Sequence, residues 1–376
     1  MQCVTHLFNL LASVSGLFWK KASVVKDVEN IGKGRMLFPI LFVLLCSSTY
    51  GQDGVVHERS FVHDDSLRSY LLYVPDAYNG QTDWPLVINY HGYNVDANFQ
   101  MNYTGMNATA DTAHFLVAYP QGLLVNNPFN GTKGPGWNLL GGTLSENDDV
   151  DFSLELINHV KADYMVDPAR THVTGWSMGA GMAYELACAH PAQIASLAAV
   201  DEQMDDGLLG SCSPGRAMSF LQIHGTADPL VPFNGAAAGG VSFSPAPLTA
   251  SFYAGLNSCM DSTEIEIEDS IAGDSSTVTL TKYTSCNDDT EILFYRINNG
   301  GHTWPGSTPI PGLEFLGHTN QDINANSEIW NFFKRNPHPD YVANGVVHER
   351  SFMQDDSLRS YLLYVPDAYD GQADWP

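Results

Sequence analysis

The sequence predicts an α/β fold with a doubly wound, mostly parallel sheet and helices on both faces. Between residues 68 and 335, short β-branched apolar runs alternate with stretches of helical periodicity, and strands that alternate with helices form parallel sheets. Several of the runs end in turns that carry polar residues, at the edge where open α/β sheets keep their sites. Hydrophobic residues make up 44% of the 376-residue chain, which is enough apolar material for a large core.

The elements are predicted in the order in which these segments occur. The strands fall in seven apolar segments: 70–74, 86–90, 115–119, 172–176, 197–200, 220–223 and 292–297. The helices fall between or after them, at about 105–113, 151–165, 179–190, 248–257 and 323–335. Pro337 prevents the last helix from continuing. The long Gly/Asn-rich connections at 122–148 and 234–248 are candidate loops over a site.

The first 51 residues differ from the rest of the chain. A basic stretch at 33–35 precedes Met36 and an apolar run over 37–46, and small and polar residues follow up to Gly51. This pattern is typical of a secretory signal over 36–51, and the apolar run is too short to span a bilayer comfortably. We therefore expect a secreted or periplasmic protein with an upstream extension over 1–35. A buried N-terminal helix is the alternative.

The C-terminal end repeats the start of the predicted domain. Residues 345–376 match residues 54–85 at 28 of 32 positions. A unit this long indicates duplication of a whole domain, and the second copy holds only the first strands, which cannot bury an apolar face alone. The sequence thus predicts a leader over 1–51, one domain over 52–338, and a linker with a truncated copy over 339–376. A tandem protein, an incomplete gene product and an edge-strand swap remain open for that copy.

The net charge of the chain is −25, from 17 basic and 42 acidic residues. This balance argues against nucleic acid and anionic membranes as partners, because phosphate-binding surfaces need clustered Lys and Arg. The Asp-rich stretches at 148–151, 261–269 and 287–291 lack the spacing of a calcium-binding loop and are predicted to be solvated surface. Outside the leader, the cysteines allow three disulfide pairings and have no zinc-site spacing; they are Cys188, Cys212, Cys259 and Cys286.

The segment that carries the chemistry is Gly175-Trp176-Ser177-Met178-Gly179. The G-x-S-x-G pattern alone is weak evidence, but here an apolar strand leads into it and an Ala-rich helix leads out of it. That context holds a serine in a strained, exposed position, with glycine on both sides because neighbouring backbone comes close. Ser177 is therefore the predicted nucleophile, and an ordinary strand-to-helix turn is the alternative.

A nucleophilic serine needs a base to take its proton and an acid to orient that base. In this arrangement both residues follow the serine in the chain, with the acid before the histidine. Asp228 follows the predicted strand 220–223, and His302 follows the predicted strand 292–297. Because the carboxyl ends of parallel strands form the site edge of the sheet, we predict Asp228 as the acid and His302 as the base.

Other residues compete for these roles. Asp201 comes directly after the predicted strand 197–200 and is the rival acid, although a helix cap or a surface carboxylate is the preferred interpretation. His318 is the rival base, but no strand precedes it. His91 and His224 precede the acid in the chain and are predicted to be structural.

An oxyanion hole requires two backbone N–H groups that face the developing negative charge. One is expected from Met178, directly after the nucleophile, and the other from the loop after an early strand. The loop after strand 86–90 offers Gly92 or Tyr93, and we predict Tyr93.

Several segments resemble the extracellular poly(3-hydroxybutyrate) depolymerase-like esterases, a family with feruloyl and acetyl-xylan esterase relatives and the α/β-hydrolase fold. The matching pieces are YVP at 73–75, the strand that ends at His91-Gly92, GWN at 136–138, DDVDF at 148–152, GWSMG at 175–179, LAC at 186–188, HGTADPLVP at 224–232 and GGHTWPG at 300–306. The resemblance covers about residues 54–335. It implies a triad of Ser177, Asp228 and His302, and it implies the disulfides Cys188–Cys212 and Cys259–Cys286.

The sequence therefore predicts a secreted serine carboxylic ester hydrolase that works through an acyl-enzyme and needs no cofactor or metal. The expected substrate is poly- or oligo(3-hydroxybutyrate); feruloyl or acetyl esters of plant polysaccharide are the alternative, and a catalytically silent binding module is a further one. Trp176, Trp304 and Trp137 are candidates for the substrate pocket. For Trp176 and Trp304, packing in the core is an equal alternative.

Overall fold

The computed structural model describes residues 54–127, 131–238, 241–342, 346–354 and 357–365; the predicted leader lies outside them. The strands are β1 (Gly54–His63), β2 (Ser66–Pro75), β3 (Trp84–Tyr90), β4 (Leu116–Pro120), β5 (Leu123–Asn126), β6 (Lys133–Gly136), β7 (Val166–Trp176), β8 (Ser196–Val200), β9 (Ser219–Gly225), β10 (Ala236–Ala238), β11 (Val241–Phe243), β12 (Asp261–Glu266), β13 (Thr277–Thr284), β14 (Ile292–Asn298), β15 (Val346–Gln354) and β16 (Ser357–Val365). The helices are α1 (Ala97–Thr104), α2 (Met106–Ala113), α3 (Asp149–Asp163), α4 (Met178–Ala189), α5 (Asp206–Ser211), α6 (Ala246–Leu256), α7 (Ala325–Arg335) and α8 (Pro339–Val342).

The central sheet has ten strands in the order β1-β2-β4-β3-β7-β8-β9-β14-β13-β12. Its middle six strands, from β4 to β14, are all parallel. Antiparallel strands extend the sheet on both sides. The predicted mostly parallel α/β sheet is therefore confirmed, and each of the seven predicted strand segments lies in it.

The core lies on both faces of this sheet. Every residue of β3, β4, β8 and β9 is buried, which explains their continuous apolar runs. Side chains alternate between the faces: Leu86 and Ile88 pack into one core cluster, while Val87 packs into the other. Helices α3, α4 and α6 contribute to the first cluster, and α1, α2 and α7 to the second. Helices therefore cover both faces, as the doubly wound prediction requires.

The acidic stretches differ from one another in the structure. All six residues of β12, at an edge of the sheet, are exposed, and charged side chains on an edge strand discourage pairing with another chain. Asp149 is different: it is 2% exposed and forms an ion pair with the buried Arg68, while its other oxygen accepts from the Asn138 N–H at 2.7 Å. The prediction that 148–151 is solvated surface is therefore wrong for Asp149.

Two disulfides lie on the connections around the sheet. Cys188 in α4 is bonded to Cys212 after α5, and Cys259 after α6 is bonded to Cys286 after β13. This is the sequence-local pairing that the family resemblance implies. Among the described residues, no helix is long and apolar enough to span a bilayer.

The repeated segment forms a hairpin of its own. Strands β15 and β16 pair antiparallel in a separate two-stranded sheet. Their register joins Val346 to Val365, just as Val55 is joined to Val74 in the β1–β2 hairpin. Every pair in the repeat is thus offset by the same 291 residues, so the duplicated sequence adopts the same hairpin.

Candidate active site

Ser177 occupies the sharp turn between β7 and α4. Its φ is 56° and its ψ is −131°, a region that non-glycine residues rarely occupy and that costs about 1–3 kcal/mol. The Ser177 N–H donates to the Val200 carbonyl at 2.9 Å, and the Ser177 carbonyl accepts from the Ala180 N–H at 2.7 Å. The neighbouring strand β8 and the helix after the serine therefore hold it in the strained position that the motif predicts.

The two glycines of the motif are required by close backbone approach. A Cβ on Gly175 would lie 2.3 Å from the carbonyl carbon of Gly179. A Cβ on Gly179 would lie 2.3 Å from the Tyr90 carbonyl oxygen at the end of β3. Both distances are below any real Cβ contact, so only glycine permits β7, α4 and β3 to approach this closely at the elbow.

Asp228 and His302 are brought into direct contact from loops after β9 and β14. His302 Nδ1 is 2.7 Å from Asp228 Oδ2, and both side chains are almost fully buried. Asp228 Oδ1 accepts from the backbone N–H groups of Leu230 and Val231, each at 2.8 Å. The carboxylate is therefore fixed on one side by its own loop and holds the imidazole on the other.

The loop that carries His302 is held by distant parts of the chain. The His302 N–H donates to the Leu316 carbonyl at 2.7 Å, and the Gly301 N–H donates to the His318 carbonyl at 2.9 Å. The Trp304 N–H donates to the Tyr103 hydroxyl at 2.9 Å. His318 itself is exposed and contributes its carbonyl rather than its ring to this loop, so it is not placed to be the base.

The environment of Asp228 favours its ionised form. Burial alone would raise the pKa of Asp228, but the charge and hydrogen bond of His302 outweigh burial and hold that pKa below its ordinary value. His224 lies on the other side, with Nε2 3.6 Å from Asp228 Oδ2 and 2.9 Å from the Val231 carbonyl. Burial lowers the pKa of His224, so a neutral ring donates to that carbonyl.

His91 also has a structural place, beside the predicted oxyanion loop. Its Nε2 accepts from the Gly122 N–H at 2.9 Å, so its Nδ1 donates to the Gly92 carbonyl at 2.7 Å. Burial lowers the pKa of His91 to about 4, which keeps the ring neutral. The ring thus fixes the backbone of the 91–93 turn without taking part in proton transfer.

A cavity of about 400 Å³ opens beside the elbow. Ser177, Met178, Tyr93, Trp176 and His302 line it together, so the predicted nucleophile, base and oxyanion residues meet at one place. The remaining lining comes mostly from apolar side chains of three separate loops, α4 and α5, which include Leu139, Leu140, Leu144, Tyr184, Met204, Leu208, Leu230 and Val231.

Two of the three tryptophans predicted for the pocket do not line it. Trp137 is fully buried, and its indole N–H donates to the His91 carbonyl at 2.7 Å. Trp304 is 1% exposed, and its indole N–H donates to Asn326 Oδ1 at 3.1 Å. The prediction is therefore wrong for these two residues, since each packs in the core with its polar atom satisfied. Trp176 does line the cavity, 5.1 Å from the His302 ring between centroids.

Polar residues after β8 were missed as part of the site. Glu202 and Gln203 line the cavity next to the apolar side chains, and both are buried. Burial and the nearby Asp228 charge raise the pKa of Glu202 well above its ordinary value. Their position directly after an apolar strand, at the carboxyl edge of the sheet, is the sequence signal that could have identified them.

The sequence of the chain is similar to that of known proteins. The sequence profile of the esterase PHB depolymerase family matches residues 68–266, just over half of the chain. The protein named "Probable feruloyl esterase C" from Aspergillus oryzae is 29% identical over 181 residues, which are 46% of this chain and 60% of the relative. Feruloyl esterase C of Emericella nidulans is 28% identical over 242 residues, which are 62% of this chain and 76% of that protein. The chain thus spans about 60% of the length of the first relatives it matches.

Among solved structures, the acetyl xylan esterase from Aspergillus awamori superimposes with a TM-score of 0.50 at 13% identity. The match covers 75% of this chain and 99% of that enzyme. At this level of identity the likeness concerns the fold, and it confirms the α/β-hydrolase fold that the sequence predicts.

Proposed function

The chain belongs to the esterase PHB depolymerase family, and we propose that it is a secreted serine carboxylic ester hydrolase in which Ser177, His302 and Asp228 form the catalytic triad. One observation carries this proposal. A strained serine on a glycine-flanked elbow lines the same cavity as His302, whose ring is hydrogen-bonded to a buried carboxylate 2.7 Å away.

The reaction then follows from the roles of these groups. His302 takes the hydroxyl proton of Ser177 as the oxygen attacks the ester carbonyl, and it passes that proton to the leaving alcohol. Asp228 keeps Nδ1 protonated and stabilises the imidazolium that forms. The N–H groups of Met178 and Tyr93 stabilise the oxyanion, and the N–H of Met178 is available because the first N–H groups of a helix have no partner within the helix. Water releases the acid by the same steps, with no cofactor or metal.

For the substrate, we propose 3-hydroxybutyrate oligomers or polyester first, as the family description suggests. The names of the relatives favour the alternative, feruloyl or acetyl esters on plant polysaccharide. Parallel measurement of kcat/KM on 3-hydroxybutyrate trimer, methyl ferulate and acetylated xylan distinguishes them. A preference of at least tenfold for methyl ferulate or acetylated xylan would overturn the polyester assignment.

Secretion is supported by the two disulfides, since such bonds persist in oxidising compartments. The mass of the protein recovered from the medium of an expressing host tests this proposal. The expected mature chain starts near Gln52; recovery of the intact chain from the cytosol alone would contradict secretion.

The serine mechanism is tested with a fluorophosphonate probe, which reacts with activated serines. The wild type should be labelled at Ser177, and Ser177→Ala should show neither labelling nor ester hydrolysis. The control is Ser262→Ala, which removes an exposed serine from the edge strand β12 and should be labelled like the wild type. An unlabelled wild type, or a Ser177→Ala variant labelled as strongly as the wild type, would contradict the proposal and favour a binding module without catalytic activity.

A further inference from the structure

The base of the proposed triad has a second buried carboxyl beside it. A carboxylate oxygen of Asp201, one of Asp228 and a ring nitrogen of His302 all lie within 4.8 Å of one another, and all three residues are buried. Asp201 comes directly after β8, which lies between the strand of the nucleophile, β7, and the strand of the acid, β9. The strand order therefore places two acidic residues, rather than one, beside the same histidine.

The backbone fixes Asp201 at this position. Its φ is 52°, and its N–H donates to the Ile223 carbonyl at 2.9 Å. The residue before it, Val200, accepts the hydrogen bond from the Ser177 N–H. The segment Val200–Asp201 therefore connects the elbow to the strand that leads to Asp228. Asp201 is thus neither a surface carboxylate nor a helix cap.

The side chain of Asp201 is only half satisfied. Oδ1 accepts one long hydrogen bond, from the Gly225 N–H at 3.3 Å, whereas Oδ2 is buried and has no partner at ordinary hydrogen-bond geometry among the described residues. The indole of Trp176, whose N–H is likewise without such a partner, interacts with the Asp201 carboxyl. A buried carboxyl oxygen without a partner costs free energy, so its retention calls for a use. Asp228, in comparison, accepts two short hydrogen bonds from backbone N–H groups.

The difference in hydrogen bonding decides which acid carries the charge. Two carboxylates this close in a buried site do not both ionise readily. Asp228 accepts two 2.8 Å bonds and the imidazole, so the negative charge rests there. Burial and the charge of Asp228 raise the pKa of Asp201 well above its ordinary value, which favours the protonated form of Asp201.

We propose that Asp201 is a second positioning carboxyl for His302, so that two acids rather than one are available to orient the base. Asp228 makes the orienting bond in the resting enzyme. When Asp228 is absent, Asp201 gives its proton to solvent, and its free oxygen accepts from the Nδ1–H of His302. This inference rests on the proposed triad and assigns Asp201 a role beside it.

A double-mutant cycle tests the inference, with kcat and KM measured for the wild type, Asp201→Asn, Asp228→Ser and the double variant. The serine hydroxyl can still accept from the N–H groups of the loop after β9, so Asp228→Ser keeps that loop. Loss of the orienting acid from a serine triad costs about 10⁴ in kcat. We expect Asp228→Ser to keep at least tenfold more kcat than the double variant, a factor larger than the one that Asp201→Asn costs in the presence of Asp228, with KM unchanged.

The pH profile adds a readout that a purely structural role would not move. In Asp228→Ser, Asp201 must ionise before it can orient His302, so kcat should rise with pH along a limb that the double variant lacks. The other titratable groups near Asp201 are His302 and Glu202, from the loops after β14 and β8, and Tyr103 from α1, and all three are retained in every variant of the cycle. An Asp201→Asn substitution that costs the same factor in both backgrounds would overturn the inference.

A second measurement does not depend on the folding of Asp228→Ser. The infrared spectrum of the wild type at pH 7 should contain a protonated-carboxyl band that Asp201→Asn lacks; identical spectra would overturn the inference. Fluorophosphonate labelling of the wild type separates the two levels of the argument. An unlabelled, inactive wild type refutes the proposed function, whereas an active wild type with an additive cycle refutes only the role of Asp201.

Discussion

Alanine at Gly179 should impair catalysis by moving the nucleophile elbow. The added Cβ would lie 2.3 Å from the carbonyl oxygen of Tyr90, 2.6 Å from its carbonyl carbon and 2.7 Å from the carbonyl oxygen of His91. All three atoms belong to the backbone at and directly after the end of β3, a strand inside the sheet that pairs with β4 up to Ile88 and with β7 up to Tyr90. Because that backbone cannot rotate away as a side chain can, the elbow must move instead.

The size of the movement follows from the same distances. Real Cβ contacts essentially never fall below 3.0 Å, so the clash requires a displacement of about 0.7 Å. A misplacement of about 1 Å at a reacting group costs on the order of 10²-fold in rate. Overpacking of this kind also costs about 1–3 kcal/mol of stability, which corresponds to a fall in Tm of roughly 2–5 °C for a domain of this size.

The assay compares Gly179→Ala with the wild type and with Gly210→Ala. A Cβ on Gly210, in the short helix α5, meets nothing within 4 Å, so this variant makes the same chemical change without a clash. Hydrolysis of p-nitrophenyl butyrate and thermal unfolding are measured for all three proteins. We expect kcat/KM to fall on the order of 10²-fold only in Gly179→Ala. Activity of Gly179→Ala within threefold of the control would refute the geometric reasoning about the elbow.

Three further predictions concern stability and the repeat. Arg68→Met leaves the Asp149 carboxylate without its cationic partner in a site where both side chains are 1% exposed, so urea unfolding should show a loss of about 3–5 kcal/mol in the free energy of unfolding. The control Arg170→Met, which breaks an exposed ion pair, should cost less than about 1 kcal/mol. Equal losses in the two variants would contradict the argument. Burial lowers the pKa of His91 to about 4 and that of His172 to about 3, below the ordinary 6.5, so the unfolded chain binds protons that the folded chain does not. Stability should therefore fall as the pH drops from about 6.5 to 4, with His91 contributing on the order of 3 kcal/mol, and His91→Gln should flatten the measured slope; an unchanged slope would count against it. Finally, a chain that stops after Val342 should keep its ester hydrolysis and its Tm, because β2 already pairs with β4; a large loss of either would mean that the duplicated hairpin takes part in the folded unit.

The sequence predicted the interior of the sheet better than its edges. Strands β3, β8 and β9 are buried on both faces, and burial on both faces requires the continuous apolar runs by which they were recognised. Edge strands need no such run, and β12 consists of exposed residues, three of them acidic. Its sequence therefore looks the same as a solvated loop, and only its pairing with β13 makes it a strand.

Within the site, the turn at the elbow was predictable because backbone geometry restricts the residue type there, whereas two tryptophan predictions were wrong because packing decides where those side chains lie. Ser177 and its two glycines are required by the geometry of one turn, so a local motif is enough to find them. Trp137 and Trp304 flank the site in the sequence, but the orientation of a large side chain depends on partners such as Asn326 that lie far away in the chain. Asp149 shows the same limit, because its burial depends on Arg68, 81 residues earlier.

The glycines of the site explain why its chemistry and its specificity have separate origins. Gly225 comes against the carbonyls of Gly300 and Gly301, and Gly301 against the Leu316 carbonyl, each closer than any Cβ would allow. Together with the glycine contacts of the elbow, these backbone-to-backbone contacts fix the proposed catalytic groups. No residue other than glycine fits at these positions. The cavity wall, in contrast, includes side chains such as Leu144, Met204 and Leu208, on segments that do not form these contacts. Substitution of the wall can therefore alter the acyl group that is accepted while the nucleophile, the base and the two acids keep their geometry.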